Sequence, residues 1–268
     1  MECNVEFCSI NYKEIGEGVP FIILHSMGTD HTSMEAWLER IFTEVLSKKR
    51  IYVDLPAHGC SSINEQYRGT EEAKESLMEF INKTLGEEDF YLVGMSYGAY
   101  IAQGLLNDIM DRVKGIALIV PAVHLRTGNL PDKVVLKRDD KFLAAMDEEL
   151  RTAFETLFTI QTQSMAERFM SEIQPGRQLA DRGFLSSNWR ETEYFFKNEP
   201  FADLESIPVP ALFLLGRHDA VCGYEDQFEL YKKFNDSAFH VIEGAGHMLT
   251  MEKSDIVSTL IKDWLDNL

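Results

Sequence analysis

The sequence predicts an α/β protein with a mostly parallel, doubly wound sheet of about eight strands and a helical segment inserted between two of them. Short, continuously apolar runs recur along the chain, as strands that are covered on both faces require. Amphipathic stretches of helical length alternate with these runs. In one long region, 123–205, this alternation stops and helix-like stretches take over.

Six apolar runs are predicted as buried strands. They are 21–24, 51–53, 90–93, 116–120, 211–215 and 239–242. Residues 5–14 alternate between polar and apolar side chains, a pattern that indicates an antiparallel strand at the edge of the sheet. The predicted helices lie at about 34–47, 71–84, 97–110, 224–234 and 253–267.

The region 123–205 is interpreted as a helical cap, or lid, and residues 1–122 and 206–268 as the core that carries it. It is rich in Phe, Met and Leu, and Pro175-Gly176 marks a break within it. Most of its apolar side chains are expected to be core. Its underside would line a pocket over the sheet, and the candidate pocket residues are Ser26, Phe142, Phe158 and Trp189.

Composition limits the function classes. The chain of 268 residues has a formal net charge of −18, which opposes binding to nucleic acid or to an anionic membrane surface. No apolar stretch approaches the length of a membrane span, and the N-terminus lacks the pattern of a signal peptide. We therefore expect a cytoplasmic monomer or homodimer whose partner is a small-molecule substrate. The spacing of the four cysteines matches no zinc or redox motif, and we expect no metal and no cofactor.

The strongest local motif is Gly94-Met95-Ser96-Tyr97-Gly98, which lies between the predicted strand 90–93 and the predicted helix 97–110. A Gly-x-Ser-x-Gly turn in this position strains the serine backbone and exposes its hydroxyl at the end of the strand. The glycines relieve crowding between strand and helix. The free N–H groups at the start of the helix favour negative charge there. Ser96 is therefore the candidate nucleophile.

A serine hydroxyl needs a neighbouring base, and the base needs an acid that orients it. Of the seven histidines, His247 follows Gly244-Ala245-Gly246 directly after a predicted strand, so it is the candidate base. Asp219 follows the strand 211–215 and completes the chain order Ser, Asp, His. Asp226 is a weaker candidate for the acid because it lies within a predicted helix.

These motifs resemble the α/β-hydrolase superfamily, in particular its lidded single-domain members, over essentially the whole chain. The matching segments are 25–28, 54–61, 94–98, 216–219 and 244–247. The resemblance implies the α/β-hydrolase fold and an oxyanion hole formed by the backbone N–H groups of Met27 and Tyr97. Ser26 departs from the family pattern, which usually has glycine there. Relatives with an aspartate nucleophile, the dehalogenases and epoxide hydrolases, are disfavoured because position 96 is serine.

The function predicted from these residues is hydrolysis of a small, largely apolar carboxylic ester through a Ser-His-Asp triad and an acyl-enzyme. Cleavage of a C–C bond, a thioester or a lactone would use the same residues and stays open. So does a ligand receptor of the same fold with little turnover. Steady-state hydrolysis of short p-nitrophenyl esters separates an enzyme from such a receptor.

Overall fold

The computed structural model describes residues 1–43, 47–122 and 130–268. Up to residue 122, strands and helices alternate. In order they are β1 (Glu2–Asn4), β2 (Cys8–Ile15), β3 (Val19–Leu24), α1 (His31–Phe42), β4 (Lys48–Val53), β5 (Ser62–Ile63), α2 (Thr70–Leu85), β6 (Phe90–Met95), α3 (Tyr97–Asp108) and β7 (Val113–Ile119). The predicted helix 34–47 corresponds to α1, and residues 44–46 of that prediction lie outside the described residues.

Residues 130–205, here called the inserted segment, follow β7 and precede the next strand of the main sheet. Their elements are β8 (Lys137–Arg138), α4 (Asp140–Leu143), α5 (Glu148–Leu157), β9 (Ile160–Gln161), α6 (Gln163–Arg168), a π-helical turn (Phe169–Ile173), α7 (Gln174–Leu179), α8 (Arg182–Leu185) and α9 (Trp189–Thr192). The predicted start of the cap, 123–129, lies outside the described residues.

Two local features of the inserted segment differ from the sequence prediction. Strands β8 and β9 pair in parallel, although no strand was predicted in this region. Each has two residues, too few to produce an apolar run. The predicted break at Pro175-Gly176 lies inside α7, where Pro175 occupies the first turn. Proline is tolerated there because the first N–H groups of a helix have no intrahelical acceptor.

The remaining elements return to alternation. They are β10 (Ala211–Gly216), α10 (Glu225–Tyr231), β11 (Ser237–Ile242), α11 (Leu249–Glu252) and α12 (Ser254–Asp266). Among the residues that the structure describes, no helix is long and apolar enough to cross a membrane.

Within the described ranges, the main sheet has the strand order β1-β2-β4-β3-β6-β7-β10-β11, and the short β5 pairs with β2. Neighbours from β4 to β11 run parallel, whereas β1 with β2 and β2 with β4 run antiparallel. The prediction of a mostly parallel sheet of about eight strands with an antiparallel edge is confirmed.

Both faces of the sheet are covered, which explains the continuous apolar runs. Successive side chains of a strand point to opposite faces. Ile22 accordingly packs in the cluster that contains Phe80 of α2, and Ile23 packs in the cluster that contains Leu38 of α1. All four side chains are almost completely buried. Burial of each stabilises the fold by about 1.5–3 kcal/mol.

The register of the central strands brings their carboxyl ends to one edge of the sheet. Leu24 at the end of β3 pairs with Gly94, and Gly216 at the end of β10 pairs with Ile242. The loops that follow β3, β6, β10 and β11 therefore leave the sheet side by side. This is the edge at which open α/β sheets bind ligands.

Candidate active site

Ser96 stands on the sharp turn between β6 and α3. Its backbone has φ 53° and ψ −117°, in the left-handed range that non-glycine residues rarely adopt. A Cβ atom at Gly98 would lie 2.5 Å from the His25 carbonyl oxygen, and one at Gly94 would lie 2.6 Å from Cα of Ala99. The predicted strain at the serine and the predicted need for both glycines are confirmed.

His247 lies between Ser96 and Asp219. Its Nδ1 is 2.9 Å from Oδ2 of Asp219, and its Nε2 is 3.1 Å from Oγ of Ser96. A carboxylate only accepts hydrogen bonds, so Nδ1–H donates to Asp219 and Nε2 is left to accept the serine proton. Three residues that are distant in the chain thus form one row of hydrogen bonds.

The aspartate is held as firmly as the histidine. Asp219 is fully buried, and its other oxygen, Oδ1, accepts from the N–H groups of Val221 at 2.9 Å and Cys222 at 3.0 Å. Burial of the imidazole disfavours its charged form. Interactions with Asp219 and Cys222 together outweigh burial, and the pKa of His247 is raised well above the ordinary value for histidine. This site favours an imidazolium once a proton has been taken up.

A buried thiol also lies at this site. Sγ of Cys222, a carboxylate oxygen of Asp219 and a ring nitrogen of His247 lie within 4.8 Å of one another. Burial raises the pKa of the Cys222 thiol, so the side chain stays protonated. Sequence reasoning gave this cysteine no role, because it has no motif spacing.

Two clusters in the described part of the chain have the residue types of metal ligands. They are Asp219, Cys222 and His247, and Asp30, His31 and Asp54. Hydrogen bonds account for both arrangements. In the second cluster, Oδ1 of Asp54 accepts from the His31 backbone N–H and also contacts its ring Nδ1, each at 2.8 Å. Asp54 therefore ties the loop after β4 to the start of α1.

A buried histidine, His25, fixes the loop after β3 through hydrogen bonds. Nε2 of His25 accepts from the N–H of Leu55 at 2.9 Å, so its Nδ1–H donates to the carbonyl oxygen of Ser26 at 2.7 Å. Burial lowers the pKa of His25, which keeps the ring neutral in this role. Ser26 and Met27 border the cavity beside Ser96. The bonds to His25 fix the backbone on which the predicted oxyanion donor stands.

Tyr97 can contribute only its backbone to this cavity. Its side chain is buried, and its hydroxyl lies 3.0 Å from Oγ1 of Thr70. Tyr97 is the first residue of α3, so its N–H has no intrahelical acceptor.

A cavity of about 220 Å³ lies between the sheet edge and the inserted segment. It is small compared with pockets for drug-sized ligands. Most of its wall is apolar. It is lined by Ser26, Met27, Thr29, Ser33, Met95, Ser96, Leu157, Ile173, Arg177, Arg190, Val221, His247, Met248, Thr250 and Met251.

Of the four candidate pocket residues, the structure places only Ser26 at this cavity, and the prediction for the other three is corrected. Phe158 is completely buried, with its ring centroid 4.4 Å from that of Phe154. Phe142 packs on the same cluster and borders a different surface cavity. Trp189 packs between core aromatic rings, including Tyr97. These aromatic rings pack within the protein, and among the described residues no Phe, Tyr or Trp lines the cavity beside Ser96.

Sequence reasoning missed three charged residues at the site. Arg177 and Arg190 line the cavity, and Glu252 connects the loop before His247 to the inserted segment. Oε1 of Glu252 accepts from the N–H groups of Thr159 and Ile160, and Oε2 accepts from that of Gly246, all at 2.7 Å. The proline-glycine pair next to Arg177 indicates a turn, but no sequence pattern indicates where the arginine side chain points.

Comparison with known proteins identifies the family to which this chain is similar. Residues 21–259 match the model of a family described as the alpha/beta hydrolase family. The chain is 26% identical over 267 residues to the (E)-2-((N-methylformamido)methylene)succinate hydrolase of Acinetobacter baylyi, covering 96% of this chain and 94% of that one. It is 26% identical over 248 residues to an uncharacterised carboxylesterase of Bacillus subtilis, covering 89% of this chain and 76% of that protein.

A solved structure is similar over nearly its full length. It is an alpha/beta superfamily hydrolase from Oenococcus oeni, with a TM-score of 0.86, 25% identity, and coverage of 99% of this chain and 98% of that chain. The match to the family model extends over most of the chain and includes all three residues of the hydrogen-bonded row. The chain therefore belongs to the alpha/beta hydrolase family and is a hydrolase enzyme.

Proposed function

We propose that the protein is a serine hydrolase that cleaves small carboxylic esters through an acyl-enzyme. The observation that carries this proposal is the row of hydrogen bonds from Asp219 through His247 to Ser96, which opens onto a largely apolar cavity. A nucleophile, a base and an orienting acid are the elements that acyl transfer requires.

In the proposed first step, Oγ of Ser96 attacks the ester carbonyl carbon while Nε2 of His247 takes the hydroxyl proton. Asp219 keeps the proton on Nδ1 and stabilises the imidazolium. The backbone N–H groups of Met27 and Tyr97 hold the oxyanion, and loss of one such donor costs about 3–4 kcal/mol of transition-state stabilisation in comparable sites.

The tetrahedral intermediate then collapses, and the alcohol leaves with the proton from His247. In the second half, His247 takes a proton from water, and the resulting attack on the acyl carbon releases the acid and restores Ser96. The charge of Asp219 supports both halves because it favours the imidazolium that forms in each.

The inserted segment serves as the cap over this site in the proposal. Leu157, Ile173 and Arg177 reach the cavity from that segment, opposite Ser96. Such a roof limits access of water and sets the size of the acyl group. The volume of about 220 Å³ favours short substrates over long-chain lipids.

The test compares Ser96→Ala with Ser76→Ala, a change at a buried serine of α2 that is distant in the chain from the site. With short p-nitrophenyl esters, Ser96→Ala is expected to lower kcat on the order of 10⁴-fold or more while the thermal midpoint stays near that of the wild type. Ser76→Ala should keep its kcat. Unchanged turnover in Ser96→Ala would refute the proposal.

A fluorophosphonate probe distinguishes an enzyme from a receptor of the same fold. The activity of the wild type should fall in proportion to the fraction of Ser96 that is labelled. Before labelling, each enzyme molecule should release many molecules of p-nitrophenol. A single stoichiometric release of p-nitrophenol, followed by no further turnover, would identify a ligand-binding protein instead. A panel of thioesters, lactones and C–C substrates, tested in the same two variants, assigns the preferred bond.

A further inference from the structure

The cavity beside Ser96 contains an excess of positive charge in an acidic protein. The chain has a formal net charge of −18, yet the charged groups that line this cavity, apart from His247, are Arg177 and Arg190. Both arginines also border a second cavity of about 170 Å³, together with Arg182 and Met27. Because they share Met27, Arg177 and Arg190 in their lining, the two cavities adjoin, and both arginines lie where they meet.

Neither arginine at the inner cavity forms an ion pair with a described residue. Among the described residues, no Asp or Glu lines either cavity; on its outer side Arg177 borders an open surface cavity with Asp147, Glu148 and Glu149. Other arginines of the inserted segment do form ion pairs. Arg182 pairs with Glu149 at 3.5 Å, and Arg168 pairs with Glu172 at 2.9 Å.

Arg177 is held by uncharged groups. Its Nε donates to Oε1 of Gln174 at 3.1 Å, and its guanidinium lies 5.9 Å from the ring centroid of Phe169. The side chain is only partly exposed. Burial, and then the like charge of Arg182, lower the pKa of Arg177, with a partial offset from Glu149. An oriented and partly buried guanidinium of this kind gains from an anion that enters the cavity.

We propose that this site selects esters whose acyl part carries a free carboxylate, held by Arg177 and Arg190 while the ester carbonyl lies at Ser96. The planar guanidinium fits a carboxylate with two parallel hydrogen bonds. The apolar part of the wall, including Met248 and Leu157, packs against the carbon chain between the two ends. The substrate class is therefore a hemiester of a short dicarboxylic acid.

This inference rests on the proposed ester hydrolysis, and it goes further by stating the charge of the substrate. It also changes the expectation of a largely apolar substrate, because two unpaired arginines lie among the apolar lining. The positive charge of Arg177 and Arg190 should attract an anionic substrate over a distance, and added salt should weaken this attraction.

The experiment measures kcat/KM for monoethyl succinate and for ethyl succinamate in a pH-stat. The two esters have nearly the same shape, and only the first carries a carboxylate. The wild type should prefer the hemiester about 10- to 100-fold, the range expected for hydrogen bonds to a charged group. That preference should fall as ionic strength rises, whereas the rate with the amide should not.

Arg177→Gln and Arg190→Gln are each expected to reduce this preference, with the larger loss at the partly buried Arg177. Arg177→Lys should retain part of it because the charge remains. Arg138→Gln is the matched control, since it lies in the inserted segment, Asp140 and Glu155 balance its charge, and it borders neither cavity. Its preference should stay within about threefold of the wild type. Thermal midpoints of all four variants identify any loss of folding.

The outcomes separate the two proposals. Equal hydrolysis of both esters by the wild type, or a full preference in Arg177→Gln and Arg190→Gln, overturns the inference about charge and leaves ester hydrolysis standing. If Ser96→Ala hydrolyses both esters at the wild-type rate, it is the proposed serine mechanism that fails.

Discussion

Two regions of the molecule form the cavity. They differ in how far local secondary structure determines where each side chain lies. On one side, loops at the carboxyl ends of β6, β10 and β11 carry Ser96, Asp219 and His247. On the other, the inserted segment supplies side chains from short helices and turns. At the sheet edge, each loop begins where a hydrogen-bonded strand ends. The inserted segment has no such frame, because the packing of its aromatic rings decides which side chains face inward.

The hydrogen-bonded row and the opposite cavity wall are therefore held in place by different physical means. The hydrogen-bonded row depends on register and on strained turns, which tolerate little change. The opposite wall depends on hydrophobic packing, which tolerates volume-conserving substitution. Variants on the two sides should therefore fail in different ways: activity is lost at the sheet edge, and stability or substrate choice changes at the inserted segment.

The largest expected effect is at Asp219. Asp219→Asn removes the charge that stabilises the imidazolium and the acceptor that fixes the tautomer of His247. We expect kcat/KM to fall on the order of 10³- to 10⁴-fold with the fold intact. Asp226 is the weaker candidate for the acid, and the kcat/KM of Asp226→Asn should stay within about threefold of that of the wild type. Comparable losses in both variants would contradict the assignment of the acid.

The comparison of Asp219→Asn with the wild type also gives a pH test. His247 must be neutral to accept the serine proton; burial lowers its pKa, but Asp219, with a further contribution from Cys222, raises it overall. In the wild type, kcat/KM should therefore fall on acidification, with a midpoint above about 6.5, the ordinary pKa of histidine. In Asp219→Asn the midpoint of the residual activity should move to lower pH. A midpoint that does not move would indicate another titrating group.

The second effect compares two neighbouring residues of the inserted segment. Phe158 is buried among aromatic rings, whereas Leu157 borders the cavity. Phe158→Ala should lower the free energy of unfolding by about 3–5 kcal/mol, measured by urea denaturation. Leu157→Ala should cost about 1 kcal/mol and raise KM for short esters. If Leu157→Ala were the more destabilising change, the assignment of Phe158 to the packed core and of Leu157 to the cavity wall would be wrong.

The smallest expected effect is at the link between the two regions. Glu252 accepts from Gly246, next to His247, and from Thr159 and Ile160 of the inserted segment. Glu252→Gln keeps one accepting oxygen but turns an amide donor toward one of these N–H groups. We expect kcat/KM to fall about 10-fold because the loop that carries His247 is held less firmly.

Glu252→Asp serves as the comparison for this change. It keeps the negative charge but shortens the side chain by one methylene group. Its kcat/KM should lie between that of Glu252→Gln and that of the wild type. The acidic midpoint of the pH profile should shift in Glu252→Gln, a readout that a purely structural loss would leave unchanged. Full activity in Glu252→Gln would show that the link does not position His247.

The sequence by itself predicted the sheet, its antiparallel edge and the positions of the main helices, because these depend on periodicity and on the residues at the ends of elements. It also predicted the three residues of the hydrogen-bonded row, since each follows a strand at a recognisable turn. Their roles in catalysis stay a prediction until activity is measured.

The tertiary structure decided the cavity wall. An aromatic residue in a short helix can face the core or the cavity, and the sequence does not distinguish the two, so Phe142, Phe158 and Trp189 were predicted to line a pocket that they do not border. Arg177 and Glu252 were missed for the same reason. Their importance comes from what lies opposite them in space, and such long-range pairings leave no local pattern in the chain.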